Sequence, residues 1–170
     1  MNLVVSDTGP LLHLFQAGAA DLLAHWGTVH VTPQVWRELN SHAPNFSTQR
    51  VPIWLRQCQL SSAAALQAAQ WVQARVLDAG EAEALAYARE IQADFFLTDD
   101  TAARTLSESL GIKARGSLGV VLFAAASGHL DQTIAGKVMS DLETRSTLWM
   151  SGKVRRSARE ALAKIFAARP

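Results

Sequence analysis

The stretch Leu3-Val4-Val5-Ser6-Asp7-Thr8-Gly9-Pro10 decides how this chain of 170 residues is read. Three apolar residues in a row, bounded by a Gly-Pro pair, make a short buried strand, and Asp7 stands where that strand stops. A strand ending on a carboxylate delivers it to the C-terminal edge of the sheet, where open α/β sheets place their ligands. A second and third acid arriving at the same edge would turn one carboxylate into a cation site.

Working outward, residues 29–32 read as a second strand, with Pro33 at the first position of a helix over residues 34–39. Residues 41–50 are polar and broken by Pro44, and Pro52 follows, so this stretch reads as loop. A helix is expected over residues 63–77 and another from Asp78 to about residue 91. A third strand follows over 94–98, then a helix over 101–110, a fourth strand over 112–115, and a strongly apolar helix over 118–127 capped by Ser117. Strands alternating with helices predict an α/β fold, a compact three-layer α/β/α sandwich on a parallel sheet of four or five strands.

Three later segments carry acids toward the edge that holds Asp7. Glu38 lies on the helix after the second strand, one turn from Val35 and beside Leu39, and so borders the core-facing side. In Leu77-Asp-Ala-Gly-Glu-Ala-Glu-Ala-Leu85, Glu81 shares a helical face with Ala84, Leu85, Ala88 and Ile91, whereas Glu83 points the other way beside Glu90. Glu81 is therefore expected to face the fold and Glu83 the water, although Asp78 and Glu81 also fit a capping box. Asp99 and Asp100 end the third strand, where either could cap the next helix. Two unit negative charges 4 Å apart repel by about 4 kcal/mol at an effective dielectric of 20, so a cluster of such acids calls for a compensating cation. Oxygen donors without a histidine–cysteine cluster favour Mg²⁺ or Mn²⁺ over zinc.

The remaining features exclude more than they assign. No apolar run reaches the roughly 20 residues needed to cross a bilayer. The amino terminus enters a strand at once and lacks the pattern of a secretion signal, so the expected location is the cytoplasm, away from membranes. Cys58 is the only cysteine, which excludes an internal disulfide or a thiolate-rich zinc site. His13, His25, His30, His42 and His129 are scattered, giving no visible nucleophilic dyad or triad. No glycine-rich nucleotide-binding motif occurs. The net charge of +1 conceals an asymmetry: residues 1–144 carry nine basic and fourteen acidic side chains, residues 145–170 seven basic and one acidic. The first segment is read as the main folded domain. The second is read as a basic helical extension packed on it, with Val154, Ala158, Leu162 and Ile165 on one face.

Taken in order, Val5-Ser-Asp-Thr-Gly-Pro-Leu-Leu-His-Leu, Thr32-Pro-Gln-Val-Trp-Arg-Glu-Leu, Gly80-Glu-Ala-Glu-Ala-Leu-Ala and Leu97-Thr-Asp-Asp-Thr-Ala-Ala-Arg resemble the PIN-domain family, the metal-dependent nuclease fold of VapC-type toxins, and a prokaryotic subfamily of it in particular. The likeness continues through Gly116-Ser-Leu-Gly-Val-Val-Leu-Phe-Ala and more loosely to Leu148-Trp-Met-Ser. It implies that Asp7, Glu38, Glu81 and Asp100 hold Mg²⁺ or Mn²⁺, with Asp99 the reserve ligand and Thr8 supporting the shell through its hydroxyl. It further implies hydrolysis of RNA by a toxin neutralised by a small antitoxin protein, and it leaves homodimerisation open. The chain departs from the family pattern in having Glu at the third acid position, where many members carry Asp, and in its Asp99–Asp100 doublet. Two other readings stand beside this one: a catalytically silent domain that binds nucleic acid or a partner, and a receiver-like Mg²⁺-binding signalling module. The latter is disfavoured because Asp94 begins its strand and does not end it.

Overall fold

Five short strands, β1 (Leu3–Ser6), β2 (Thr28–Val31), β3 (Leu55–Gln57), β4 (Phe95–Leu97) and β5 (Lys113–Arg115), pair in the order β3-β2-β1-β4-β5, every pair parallel. They belong to a computed structural model that describes residues 2–48 and 51–168. Val4 and Val5 of the central strand are both fully buried although their side chains leave opposite faces, so the sheet is covered on both sides, as its apolar run requires. Phe95 meets Trp26 edge to face at 5.0 Å, and Trp26 in turn contacts Phe123, while the next residue, Phe96, is fully buried on the other face.

The helices are α1 (Thr8–Gln16), α2 (Pro33–His42), α3 (Pro44–Thr48), α4 (Ser62–Gln73), α5 (Ala79–Glu90), α6 (Thr101–Ser109), α7 (Ser117–Ala126), α8 (Gln132–Thr144) and α9 (Gly152–Ala167), with a 3-10 helix at Ala20–Trp26. α5 lies against β1 and β4 and is flanked by α2, α4 and α6. The opposite layer contains α1, the 3-10 helix and α7, backed by α8 and α9. No described helix is long and apolar enough to cross a membrane.

The order of strands puts a reversal between β1 and β4. From β1 the chain winds one way to β2 and β3, and it returns to place β4 and β5 on the other side. The helices leaving the C-terminal ends of β1 and β4 therefore diverge and leave a crevice, the location at which parallel sheets bind ligands. In the register, Ser6 stands opposite Leu97, so Asp7 and the Thr98-Asp99-Asp100 segment leave the sheet side by side.

Three expectations are corrected, and the open choice between four and five strands is settled at five. Residues 44–48, read as loop, form α3, because Pro44 suits the start of a helix and Phe46 packs on Phe15 at 5.1 Å and on Trp36; residues 49 and 50 of that stretch lie outside the described residues. The fifth strand is β3, whose three residues include one buried side chain, too little for a period to show. The helix expected to reach residue 77 stops at Gln73, since Arg75 takes a positive φ of 56° and the Val76 amide bonds back to the Trp71 carbonyl. The cap of α7 is Gly116, which leaves the Ser117 side chain for another partner.

In the basic tail, Ala158 and Leu162 are buried where α9 meets α7 and α8. Arg159 donates to both carboxylate oxygens of Glu143 on α8 at 3.0 Å. Residues 169 and 170 of the tail lie outside the described residues.

Candidate active site

Asp7, Thr8, Glu38, Glu81, Asp99 and Asp100 all line one cavity of about 670 Å³ at the C-terminal edge of the sheet, so the structure brings together every acid and the hydroxyl singled out in the sequence. Each is held by a specific local device. Asp7 is 3% exposed and caps α1, accepting from the Gly9 amide at 3.0 Å. Burial pushes its carboxyl well above the usual carboxylate range. A hydrogen bond from Thr98 opposes that rise, while the charges of Asp99 and Glu81 add to it.

Glu38 projects from the second turn of α2 and accepts from the Thr8 hydroxyl at 2.5 Å and from the Gln34 side-chain amide at 2.9 Å. Its carboxylate rests on Gly80 in the first turn of α5, where a Cβ would overlap both of its oxygens. Glu81 closes the capping box foreseen for α5, accepting from the Asp78 amide at 3.0 Å. Its carboxyl is also raised, first by burial and then by the charges of Asp100, Asp78 and Glu38. Asp100 caps α6 through the Ala103 amide at 2.8 Å.

Asp99 has the most partners. It accepts from the Ser117 amide at 2.7 Å, from the Ser117 hydroxyl at 2.6 Å, and pairs with His13 Nδ1 at 2.7 Å. The contact is possible because the cap of α7 is glycine: a Cβ on Gly116 would lie 2.6 Å from Asp99 Oδ1. In this arrangement the carboxylate sits between the serine and the imidazole. A nucleophilic triad needs the imidazole in the middle, so the constellation holds Asp99 and does not activate Ser117.

The structure overturns one reading of the acids. Glu83 does not face water; it is half-buried and accepts from the Gln34 amide in the first turn of α2 at 2.9 Å. The helical wheel failed because α5 has neighbours on several sides, with Gly80, Ala82, Ala84, Leu85, Ala86 and Ala88 all buried. Glu81 lines the cavity and Glu83 secures the helix that carries Glu38.

Sequence reasoning also missed the residues that hold the acids. Thr98 is fully buried and joins two of them, donating to Asp7 and accepting from the Asp100 amide at 3.1 Å. Its position just before the Asp doublet was the available signal. His13 and Ser117 offered none, because each meets Asp99 only through the tertiary fold, across sequence separations of 86 and 18.

Among the described residues, no three acids, histidines or cysteines converge into a ready-made coordination cluster. Their oxygens hold backbone amides and hydroxyls. The donor set still fits a hard divalent cation: carboxylates from four segments face one cavity, and the most buried of them is disfavoured as a free anion. Outer partners of metal-binding carboxylates typically contribute 10- to 100-fold in metal affinity or activity. Ser117→Ala is therefore expected to raise the Mn²⁺ concentration needed for half-maximal activity, or to lower the rate, by roughly that factor. An unchanged Mn²⁺ titration and rate would remove Asp99 and its serine from the working site.

No curated protein matches the chain. A profile of the PIN-domain family matches residues 3–164, nearly the whole length and every element that carries an acid of the cavity, so this chain belongs to the PIN-domain family and has its nuclease fold.

Proposed function

We propose that this chain is an Mg²⁺- or Mn²⁺-dependent endoribonuclease and the toxin of a toxin–antitoxin pair. The observation that carries the hydrolase reading is the gathering of six carboxylates, Asp7, Glu38, Asp78, Glu81, Asp99 and Asp100, on one cavity at the reversal between β1 and β4, on a fold shared with nucleases. A divalent ion held there would activate water and offset the charge that develops on an attacked phosphate. The protein's own contribution is orientation. Thr8 and Gln34 aim Glu38; Ser117 and His13 aim Asp99; and Thr98 holds Asp7 beside Asp100's amide.

A methyl on Gly9 would lie 3.4 Å from Asp7 Oδ1 and 3.5 Å from Asp99 Oδ2, so these two approach one another, and Asp99 is the first of the charges acting on Asp7. Glu81 feels Asp100 before Glu38. These neighbours favour Asp99 as the member of the doublet that shares a cation with Asp7, and Asp100 as the member that works beside Glu81. This supports exchanging the roles of primary and reserve ligand between Asp100 and Asp99.

The purified wild type is expected to cleave RNA in Mn²⁺ or Mg²⁺ and to fall to background when EDTA removes the cation. Cleavage that survives thorough chelation would sink the metal-dependent reading. Metal-dependent cleavage that is absent in every buffer would favour a silent binding domain. For the toxin role, expression of the wild type should arrest growth and a small protein encoded beside it should relieve the arrest. Growth unaffected by an active enzyme would remove that role and leave the nuclease.

A further inference from the structure

Trp149 breaks the pattern of its kind. Trp26 and Trp54 are core, Trp36 and Trp71 pack against it, and Trp149 is 84% exposed on the segment between α8 and α9. That segment is held on both sides. Leu148 and Met150 pack on the core; the Thr147 amide and hydroxyl donate to the Gln16 side chain at 2.8 and 3.1 Å; the Leu148 amide donates to the Ser146 hydroxyl; and Ser151 caps α9. An indole presented to water on an anchored backbone is a preformed platform, since little ordering remains to be paid when a flat ligand arrives.

The platform lies between two cavities. Trp149, Leu148 and Asp99 line both the acid cavity and a second one of about 360 Å³, which Arg104 and Arg115 also line. Arg104 donates to the Thr98 carbonyl at 3.1 Å and Arg115 to the Ala114 carbonyl at 2.7 Å. These backbone contacts fix each guanidinium, and among the described residues neither is paired with a carboxylate. The acid cavity alone repels a polyanion; a cationic wall beside it, with an aromatic surface at the boundary, does not.

We infer that this second cavity and Trp149 form a subsite for single-stranded RNA: the indole stacks on an unpaired base next to the scissile phosphate, and Arg104 and Arg115 take the phosphate that follows. The inference rests on the proposed ribonuclease reading and adds to it the residues that hold the strand beside the acid cavity, Trp149, Arg104 and Arg115. Stacking needs a base splayed out of its helix, and duplex RNA keeps its bases stacked and its major groove narrow, so the site selects unpaired segments. Because every base has a π-face, the stacking itself tolerates any sequence.

The test uses the full chain carrying Asp7→Asn, which prevents cleavage, and a fluorescein-labelled oligouridylate, alone or paired with oligoadenylate. Adding Trp149→Ala should weaken binding of the single strand by about 5- to 150-fold, the range expected when one base no longer stacks, with Trp149→Phe recovering most of it. Binding of the duplex should be the same in all three proteins. Adding Arg115→Ala should lower the slope of log affinity against log salt by about 0.7 for each phosphate it ceases to neutralise. Single-strand binding unchanged by Trp149→Ala, or equal losses on single strand and duplex, would overturn the inference. So would a parent that fails to bind oligouridylate while the wild type cleaves RNA. A wild type that neither cleaves RNA in Mn²⁺ nor binds it as Asp7→Asn fails the ribonuclease reading itself, and that result is distinguishable because Trp149 plays no part in it.

Discussion

Asp7→Asn is expected to lower metal-dependent cleavage by more than about 10²-fold, beyond the range assigned to outer partners of metal ligands, while raising the melting temperature of the metal-free protein. Both effects come from one buried carboxylate. Burial disfavours its anion, and Asp99 and Glu81 disfavour it further, so its folded-state pKa stands above its unfolded value. The unfolded chain then releases this proton at lower pH than the folded one. Stability is consequently undiminished below the unfolded pKa and declines as pH rises through the raised folded value. Asparagine removes that decline. It also keeps the cap on the Gly9 amide, because an amide oxygen accepts the same hydrogen bond. In a chain of this size each 1 kcal/mol recovered appears as roughly 2–4 °C in Tm. Mn²⁺ should raise the Tm of the wild type and leave the variant nearly unmoved, since a ligand stabilises only the state that binds it. A variant that keeps its activity, or a Tm that falls, would show that Asp7 is neither a ligand nor a source of strain.

Gly80→Ala is the second substitution with a large expected effect, and it separates fold from site. Within a helix, alanine is favoured over glycine by up to about 1 kcal/mol, so propensity alone predicts a stabler protein. At this position the new methyl would overlap the Glu38 carboxylate, which is the flexible end of a side chain and can move away at small cost. Moving away breaks the bonds from Thr8 and Gln34 that hold it in the cavity. Cleavage should therefore fall about as far as in Glu38→Gln, with the thermal midpoint unchanged or raised. Retained cleavage would show that Glu38 works from some other position. A collapse in stability would instead show that Gly80 is needed for the packing of α5 against its neighbours.

Much of this was legible because it is local. An apolar run ending on Asp7, a capping box at Asp78 and Glu81, and acids closing β4 are patterns within a few residues, and the parallel sheet follows from their alternation with helices. Glu38 needed only its place on the helix after β2. What was hidden depends on contacts distant in sequence. The amphipathic reading of α5 put Glu83 in water, but a helix enclosed on several sides has no solvent face for a wheel to find, and Glu83 reaches the first turn of α2. Ser117 looked like a cap since serine often is one; the chain gave that position to Gly116 and sent the hydroxyl to Asp99. His13 looked solitary because its partner is 86 residues away.

Nearly every acid of the cavity also secures the start of a helix: Asp7 that of α1, Glu81 that of α5, Asp100 that of α6 and Asp99 that of α7. Replacing such a cap with alanine typically costs about 0.5–2 kcal/mol, whatever the residue does in chemistry. Two selective pressures therefore act on the same letters. A descendant of this chain that no longer cut anything would still lose stability by replacing these residues with ones that cannot cap, and would tend to keep a capping side chain at each, with asparagine the favoured exchange at buried Asp7. The acidic signature can thus outlive the activity, and counting acids in a related sequence reports on how its helices begin as much as on whether it is an enzyme.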